Sequence, residues 1–406
     1  MAERKRARGE GTVRDHKGGL KEARLYVPKE LRHKTGGKAR ISFYGPTEAA
    51  ALRKKREFER DLEKGFSLES RKLTVGEYLR RWLDGPLKRR VSARTLQDYC
   101  YHAEKHLIPP DCAGYVKLYE LTSEDLENLY ERKLDEGVGV STVRYVHTTI
   151  RTALQNAVKK RLIPYNPARD ADAPRMPERG ERPTLSFEQL EAFFRAAGER
   201  RDRFEALFVL AASAGLRPGE LLALKWPDLT LPDDPRWSGS ARIRRSVEHT
   251  KEHGLVLRET TKTRRRRTVP LFPEIVEALK AHRLRQLDER LRYDGAWEDQ
   301  DLVFPNKKGG IMRIDNLRYR HFKPLLEAAG LPSVRLYDLR HSFSTLWVES
   351  GEDLELLQRI LGHTSIKTTA DVYVHLGEAS KKRAMERFGR NYRVPKGPSE
   401  GSENAV

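Results

Sequence analysis

Apolar residues form two helical stripes toward the C-terminal end of the chain. Over residues 335–376 the sequence reads RLYDLRHSFSTLWVESGEDLELLQRILGHTSIKTTADVYVHL. Leu336, Leu339, Phe343, Leu346 and Trp347 share one face, and Leu354, Leu357, Ile360 and Leu361 share another. Gly351 and Gly362 punctuate the short helices that this spacing predicts. Such helices need burying, yet the stretch also carries Arg340, His363 and Tyr373. These three fall at helix edges and ends, where a scaffold can aim them outward. Each is a group that binds or attacks a phosphate.

The rest of residues 184–390 reads as the largest unit. Ser186 followed by Gln189 fits a capping box that opens a helix. Residues 204–214 are apolar almost all round, so they belong inside a core. Runs at 241–247, 254–261 and 267–271 predict strands, with the basic run 264–267 at a hairpin. A long helix over 273–292, a short strand over 302–304 and a helix over 315–329 follow.

Residues 70–165 change character and read as all-helical. Val75, Tyr78, Leu79, Trp82 and Leu83 give one amphipathic helix, ended by Gly85-Pro86. Ser92 or Thr95 starts a second, Thr122 or Ser123 caps a third, and Ser141 starts a fourth. The fourth carries Arg144, Arg151, Lys159 and Lys160, either a duplex-holding face or an ordinary solvated one. Residues 166–183 lie in PYNPARDADAPRMPERGERP, rich in Pro and charge, and predict a linker. Residues 1–65 open on a basic tail, then predict strands at 21–27 and 38–44 with Gly36-Gly37 turning between them, and a charged helix to about Lys64. That unit suits either a DNA reader or a structural cap. Residues 391–406 are a polar tail.

Composition narrows the partner. With 79 Lys and Arg against 59 Asp and Glu, the 406-residue chain carries a formal charge of +20. A surplus of that size favours a polyanion, with DNA or RNA first. Cys100 and Cys112 have no metal-ligand spacing and suit a reducing cytoplasm. No apolar run approaches a membrane span and no signal-peptide core is present, so a soluble cytoplasmic protein is expected.

Two further stretches carry candidate chemistry. In Gly215-Leu-Arg217-Pro-Gly-Glu220, Gly215 suits the position after a helix and Pro218 the first turn of the next. Arg217 then sits at a fixed corner with Glu220 one turn on to orient it, offering a planar fork to a phosphate or forming a plain ion pair. Lys262, in Thr261-Lys-Thr263, is placed to bind phosphate or protonate a leaving oxygen.

Three blocks together resemble the catalytic domain of the tyrosine recombinases, the phage-integrase family. They are AGLRPGELLALKW at 214–226, YDLRH at 337–341 and LGHTSIKTTADVY at 361–373. TKTRRRRTVPL at 261–271 is a weaker match to the family's lysine hairpin. Residues 70–165 are similar to its helical core-binding domain, and 1–65 to the arm-binding domain of phage integrases. The resemblance implies a multidomain, mainly α chain with small β-sheets (α+β), ending in a mixed α/β catalytic domain. It implies Tyr373 as nucleophile, Arg217 and Arg340 on the non-bridging oxygens, Lys262 as acid for the departing 5′ oxygen, His363 on the phosphate and Glu220 in support of Arg217. Arg264, Arg265, Arg266, Arg144 and Arg151 would contact DNA. The product would be a 3′-phosphotyrosine, resealed without ATP, metal or other cofactor. Partners implied are double-stranded attachment sites, a homotetramer in the synapse, and a directionality factor or DNA-bending host protein.

One position departs from the pattern. The family usually has a His three residues before the second Arg, where this chain has Tyr337. A phenol with pKa near ~10 is a poor base at neutral pH, so Tyr337 is read as a hydrogen-bonding group, and the base for Tyr373 is left open. His341 is one helix step, about 100°, from Arg340 and is read as structural. Integration of a phage or other mobile element is the leading expectation. A DNA-binding regulator without catalysis and a type IB-like topoisomerase are the alternatives.

Overall fold

The computed structural model describes residues 13–63, 71–177, 183–234, 236–252, 254–260, 266–293, 295, 297–365 and 369. The chain divides into two units, Met1–Glu178 and Arg179–Val406. Among the described residues no helix is long and apolar enough to cross a membrane.

The first unit opens with an antiparallel sheet in the order β1 (Val13–His16), β2 (Leu20–Tyr26), β3 (Arg40–Gly45). Its register sets Leu25 opposite Ile41 and Ala23 opposite Phe43. Helix α1 (Glu48–Glu63) covers that face, and Leu25, Val27, Phe58 and Leu62 close the small core. Strand β1 has no sequence signal because it is an edge strand with a mostly exposed, charged surface. Between β2 and β3 the chain makes a 3₁₀ turn over Lys29–Thr35 before reaching Gly36 and Gly37. The expected turn is therefore longer than a glycine pair.

Four α-helices of eight or more residues follow: α2 (Val75–Trp82), α3 (Ala93–His106), α4 (Ser123–Asp135) and α5 (Val140–Lys159). Thr74, Ser92 and Thr122 cap the first three with side-chain oxygens, so local chemistry fixes where each begins. Leu79, Leu126, Ile150 and Leu154 are fully buried between them. The Tyr78 hydroxyl donates to the Ala153 carbonyl at 2.7 Å, tying α2 to α5. On α1, Asp61 accepts from both Arg71 and the Tyr119 hydroxyl, joining the sheet's helix to the bundle.

The first residues of the segment expected as a linker, 166–183, pack on this bundle. Asn166 caps a short turn over Pro167–Arg169 and donates to the Arg151 carbonyl at 3.0 Å. Pro167, Ala168 and Ala171 are buried, and Asp172 N–H donates to Glu127 Oε1 at 2.8 Å. Proline and charge counts alone do not distinguish a chain strapped over a core from a loose one.

In the second unit, α6 (Phe187–Glu199) opens on the expected capping box from Ser186, and α7 (Glu205–Ala214) runs through the core. Phe193, Phe208 and Phe322 pack with ring centroids 5.4–5.7 Å apart. A short helix α8 (Pro218–Leu221) precedes a sheet ordered β4 (Leu229–Thr230), β5 (Gly239–Ile243), β8 (Arg267–Leu271). Then come α9 (Pro273–Leu291), α10 (Ile314–Leu317), α11 (Lys323–Ala328), α12 (Asp338–Glu349) and α13 (Leu354–Leu361).

Three sequence expectations change here. The strand expected over 241–247 breaks, because Arg244 and Arg245 both turn to buried Asp228, at 2.9 and 2.7 Å. Beyond the break, β6 (Ser246–Thr250) and β7 (Gly254–Arg258) make a separate two-stranded hairpin. Strand β8 pairs with β5 and β7 with β6, so the two strands on either side of the basic run do not pair with each other; Arg264 and Arg265 of that run lie outside the described residues. Residues 302–304 form no strand; Leu302 makes only an isolated bridge to Lys225.

Candidate active site

The site grows from the C-terminal end of α7. Gly215 caps that helix with φ of 61°, and a Cβ there would lie 2.5 Å from Phe343 and 2.7 Å from Leu361. Both the backbone and the packing therefore demand glycine. Arg217 stands at the N-cap of α8, and Pro218 fills its first turn. Glu220 reaches back, taking the Arg217 backbone N–H at 3.0 Å and its Nη1 at 2.9 Å. Arg217 is mostly enclosed, and among the described residues its Nε and Nη2 carry no partner.

Glu220 is itself only 2% exposed. Burial alone would raise its pKa. The Arg267 hydrogen bonds and charge, and then Arg217, outweigh burial and hold the carboxyl below its usual range. Arg267 was not among the candidate residues. It donates Nη1 and Nη2 to Glu220 at 3.0 and 2.7 Å, and Nε to the Ile360 carbonyl at 2.6 Å. In the sequence it is the last member of a run of four arginines, and nothing marks which one turns inward.

Arg340, on the first turn of α12, is 3% exposed. Nη1 donates to the Gly215 carbonyl at 2.6 Å, and Nη2 to the Leu361 carbonyl at 2.9 Å and to His363 Nε2 at 2.7 Å. Three of its five N–H groups are thereby fixed, leaving Nε and one Nη1 hydrogen for an anion. Burial, followed by the charge of Arg217, pulls its pKa below the ordinary arginine value, but not far enough to discharge it near neutrality.

His363 follows Gly362, the left-handed cap of α13. Since Arg340 can only donate, His363 Nε2 accepts, and the proton lies on Nδ1, which donates to Thr369 Oγ1 at 2.8 Å. Burial, then the positive charge of Arg340, lowers its pKa to about 4. The imidazole is neutral at pH 7.

Arg217, Glu220, Arg340 and His363, expected from 146 residues of separation, thus converge on the Gly215 turn. Tyr337 caps α12 half in solvent, its ring 5.2 Å from that of His341. His341 is close enough to help depress His363, so it belongs to the site's electrostatics as well as to its scaffold. Lys262, Arg264, Arg265 and Tyr373 lie outside the described residues, as does the stretch 391–406. Arg266 is exposed just before β8.

The two bundle arginines differ. Arg151 lines a groove of the helical unit with Arg90, Lys159 and Arg169. Arg144 instead turns Nη1 to the Pro174 carbonyl at 2.7 Å. Among the described residues no group of three or more His, Cys, Asp or Glu is arranged to hold a metal ion.

The chain is similar to known proteins in family, sequence and fold. Residues 183–379 match the family model described as "Phage integrase family". A tyrosine recombinase XerC-like protein of Caldanaerobacter subterraneus subsp. tengcongensis is 27% identical over 87% of this chain and 93% of its own. Tyrosine recombinase XerC of Chlamydia trachomatis serovar L2 is 30% identical over 60% of this chain and 69% of its own. The fold is similar to that of the Tn1549 transposon integrase in complex with transposon right end DNA, with a TM-score of 0.61 and 17% identity over 78% of this chain and all of that one. The chain belongs to the phage integrase family and is a tyrosine-type site-specific DNA recombinase.

Proposed function

We propose that the protein integrates a mobile element by cutting and rejoining two DNA sites through a 3′-phosphotyrosine formed on Tyr373. The observation that carries this reading is the pair of arginines held around one turn, Arg340 on the Gly215 carbonyl and Arg217 on Glu220. Attack by a phenolate on a phosphodiester builds charge on the equatorial oxygens. Two guanidiniums fixed in a water-poor site stabilise that charge with little reorganisation. The free N–H groups of Arg217 and Arg340 would bind the non-bridging oxygens. Lys262 would protonate the departing 5′ oxygen, and the bond energy kept in the phosphotyrosine would let the free 5′ hydroxyl reseal the strand without ATP.

His363 has a more particular part in this reading. Its Nε2 accepts from Arg340 in the DNA-free protein, so it cannot donate to a phosphate as it stands. An incoming phosphodiester adds a negative charge beside it and raises its pKa. The Arg340 Nη2–H bond to Nε2 would then break, the imidazole would take a proton from solvent on Nε2, and Nε2–H would donate to the phosphate. Tyr337, half exposed, would serve as a hydrogen-bonding group and not as the base. Two duplexes carry four strands to be exchanged, and one nucleophile per strand calls for a homotetramer. A directionality factor or a DNA-bending host protein would be a further partner of the synapse.

Covalent trapping tests the proposal. Wild type and Tyr373→Phe are incubated, without metal or ATP, with nicked duplexes cut from DNA flanking the gene, then resolved on denaturing gels. An adduct with wild type alone is expected. An adduct that persists in Tyr373→Phe would sink the assignment.

A further inference from the structure

We infer that Arg267 is a positioning residue for Arg217, setting how much of that guanidinium is left for the scissile phosphate. The inference rests on the reading of Arg217 as a phosphate clamp. A carboxylate offers about four lone-pair sites. Those of Glu220 are filled by the Arg217 backbone N–H at 3.0 Å, Arg217 Nη1 at 2.9 Å, and Arg267 Nη1 and Nη2 at 3.0 and 2.7 Å. Each oxygen takes one bond from each arginine. Arg217 is therefore limited to a single guanidinium bond with its supporting acid, although a free Arg–carboxylate pair favours a bidentate fork. With Arg267 absent, each Glu220 oxygen loses a donor in a buried setting. Arg217 would rotate to supply a second N–H, and the edge now free would turn inward, away from DNA.

Arg267 also reaches the other side of the site. Nε donates to the Ile360 carbonyl at 2.6 Å, in the last turn of α13. A Cβ on Gly362 would lie 3.1 Å from the Arg267 side chain, so the turn leading to His363 rests directly on this guanidinium. Its charge adds to those of Arg340 and Arg217 in keeping His363 neutral. One side chain, opening β8 five residues after Lys262, links the acid that orients Arg217 to the helix end that presents His363. Lysine cannot copy this, since one ammonium does not span two carboxylate oxygens and a carbonyl in a fixed plane.

A merely structural Arg267 would slow cleavage equally whatever stands at position 217, so a double-mutant cycle separates the two roles. Single-turnover cleavage of a labelled nicked duplex from the flanking DNA is measured for wild type, Arg267→Met, Arg217→Lys and the double variant. Arg267→Met is expected to slow cleavage roughly 10- to 100-fold in the wild-type background and less than about 3-fold beside Arg217→Lys. Gel-shift affinity for the same duplex should stay within about 3-fold, because the groove contacts are untouched. Equal slowing in both backgrounds, or no slowing in either, overturns the inference. Should Arg267→Met fail to fold around the unpaired Glu220, Arg267→Lys goes through the same cycle with the same criterion and a smaller expected loss. The cycle reads strand cleavage whichever residue attacks, so cleavage that survives Tyr373→Phe removes the nucleophile assignment and leaves this test intact. Cleavage indifferent to Arg217→Lys removes the clamp, and the inference with it.

Discussion

Arg340 donates to His363 Nε2 at 2.7 Å, and this bond fixes the tautomer of the imidazole. A histidine whose pKa drops on folding binds its proton more readily in the unfolded chain. For His363 the ordinary value near 6.5 falls to about 4, mainly through burial and then through Arg340. Between those values the unfolded state holds more protons, so stability is complete above pH 6.5 and declines as pH falls toward 4. The site is partly open to solvent, and the loss from His363 is on the order of 1–2 kcal/mol after screening. His282, buried beneath Trp226 and also lowered to about 4, titrates in the same window. Urea midpoints at pH 7.5 and pH 5 should therefore differ in wild type, and His363→Gln should narrow that difference. An unchanged difference would mean that His363 is not held neutral.

Tyr337 and Arg340 sit three residues apart with opposite burial, and their substitutions should separate sharply. Tyr337 is 39% exposed, while Arg340 is 3% exposed and holds two carbonyls and His363. Tyr337→Phe should keep appreciable single-turnover cleavage, within about 10-fold of wild type, as befits loss of one hydrogen bond. Arg340→Ala should lose nearly all cleavage and about 1–3 kcal/mol of stability, since the Gly215 and Leu361 carbonyls lose their donor. Comparable, complete loss in both variants would make Tyr337 the missing base.

Much of this site was legible because its parts are local. Gly215, Pro218 and Glu220 announce a capped corner within six residues, and that corner is where Arg217 stands. The helix stripes at Leu336–Trp347 positions and at Leu354, Leu357 and Leu361 likewise follow from spacing alone. The failures concern partners far apart in sequence. Arg267 is 47 residues from Glu220, and nothing in a run of four arginines marks it as that residue's partner. Asp228 breaks an otherwise continuous strand pattern by capturing Arg244 and Arg245. The burial of Pro167 and Ala168 on the bundle is likewise invisible in sequence, where they look the same as exposed residues.

Gly215→Ala puts the corner itself to the test. A methyl there meets Phe343 and Leu361 below 3 Å and forces an L-residue into the left-handed region. The two penalties together should cost roughly 2–4 kcal/mol. The Gly215 carbonyl also holds Arg340, so cleavage should fall by more than the loss of folded protein explains. Urea denaturation and single-turnover cleavage on the same preparation check both. A wild-type midpoint would refute the packing argument.

The two bundle arginines give a test of which surface meets DNA. Arg151 lines a groove with Arg90, Lys159 and Arg169, whereas Arg144 has Nη1 taken by the Pro174 carbonyl. Each phosphate neutralised by a side chain contributes about −0.9 to the slope of log K against log salt, so about six contacts give a slope near −5. Arg151→Ala should flatten that slope by about 1 and weaken binding uniformly across sequences. Arg144→Ala should leave the slope nearly unchanged and act instead through the 166–177 strap, lowering the thermal midpoint of the free protein. Fluorescence anisotropy on a duplex from the flanking DNA, over a series of salt concentrations, measures both slopes. If Arg144→Ala flattened the slope as much as Arg151→Ala, the strap would have to yield to DNA, and the groove would extend across the whole length of α5.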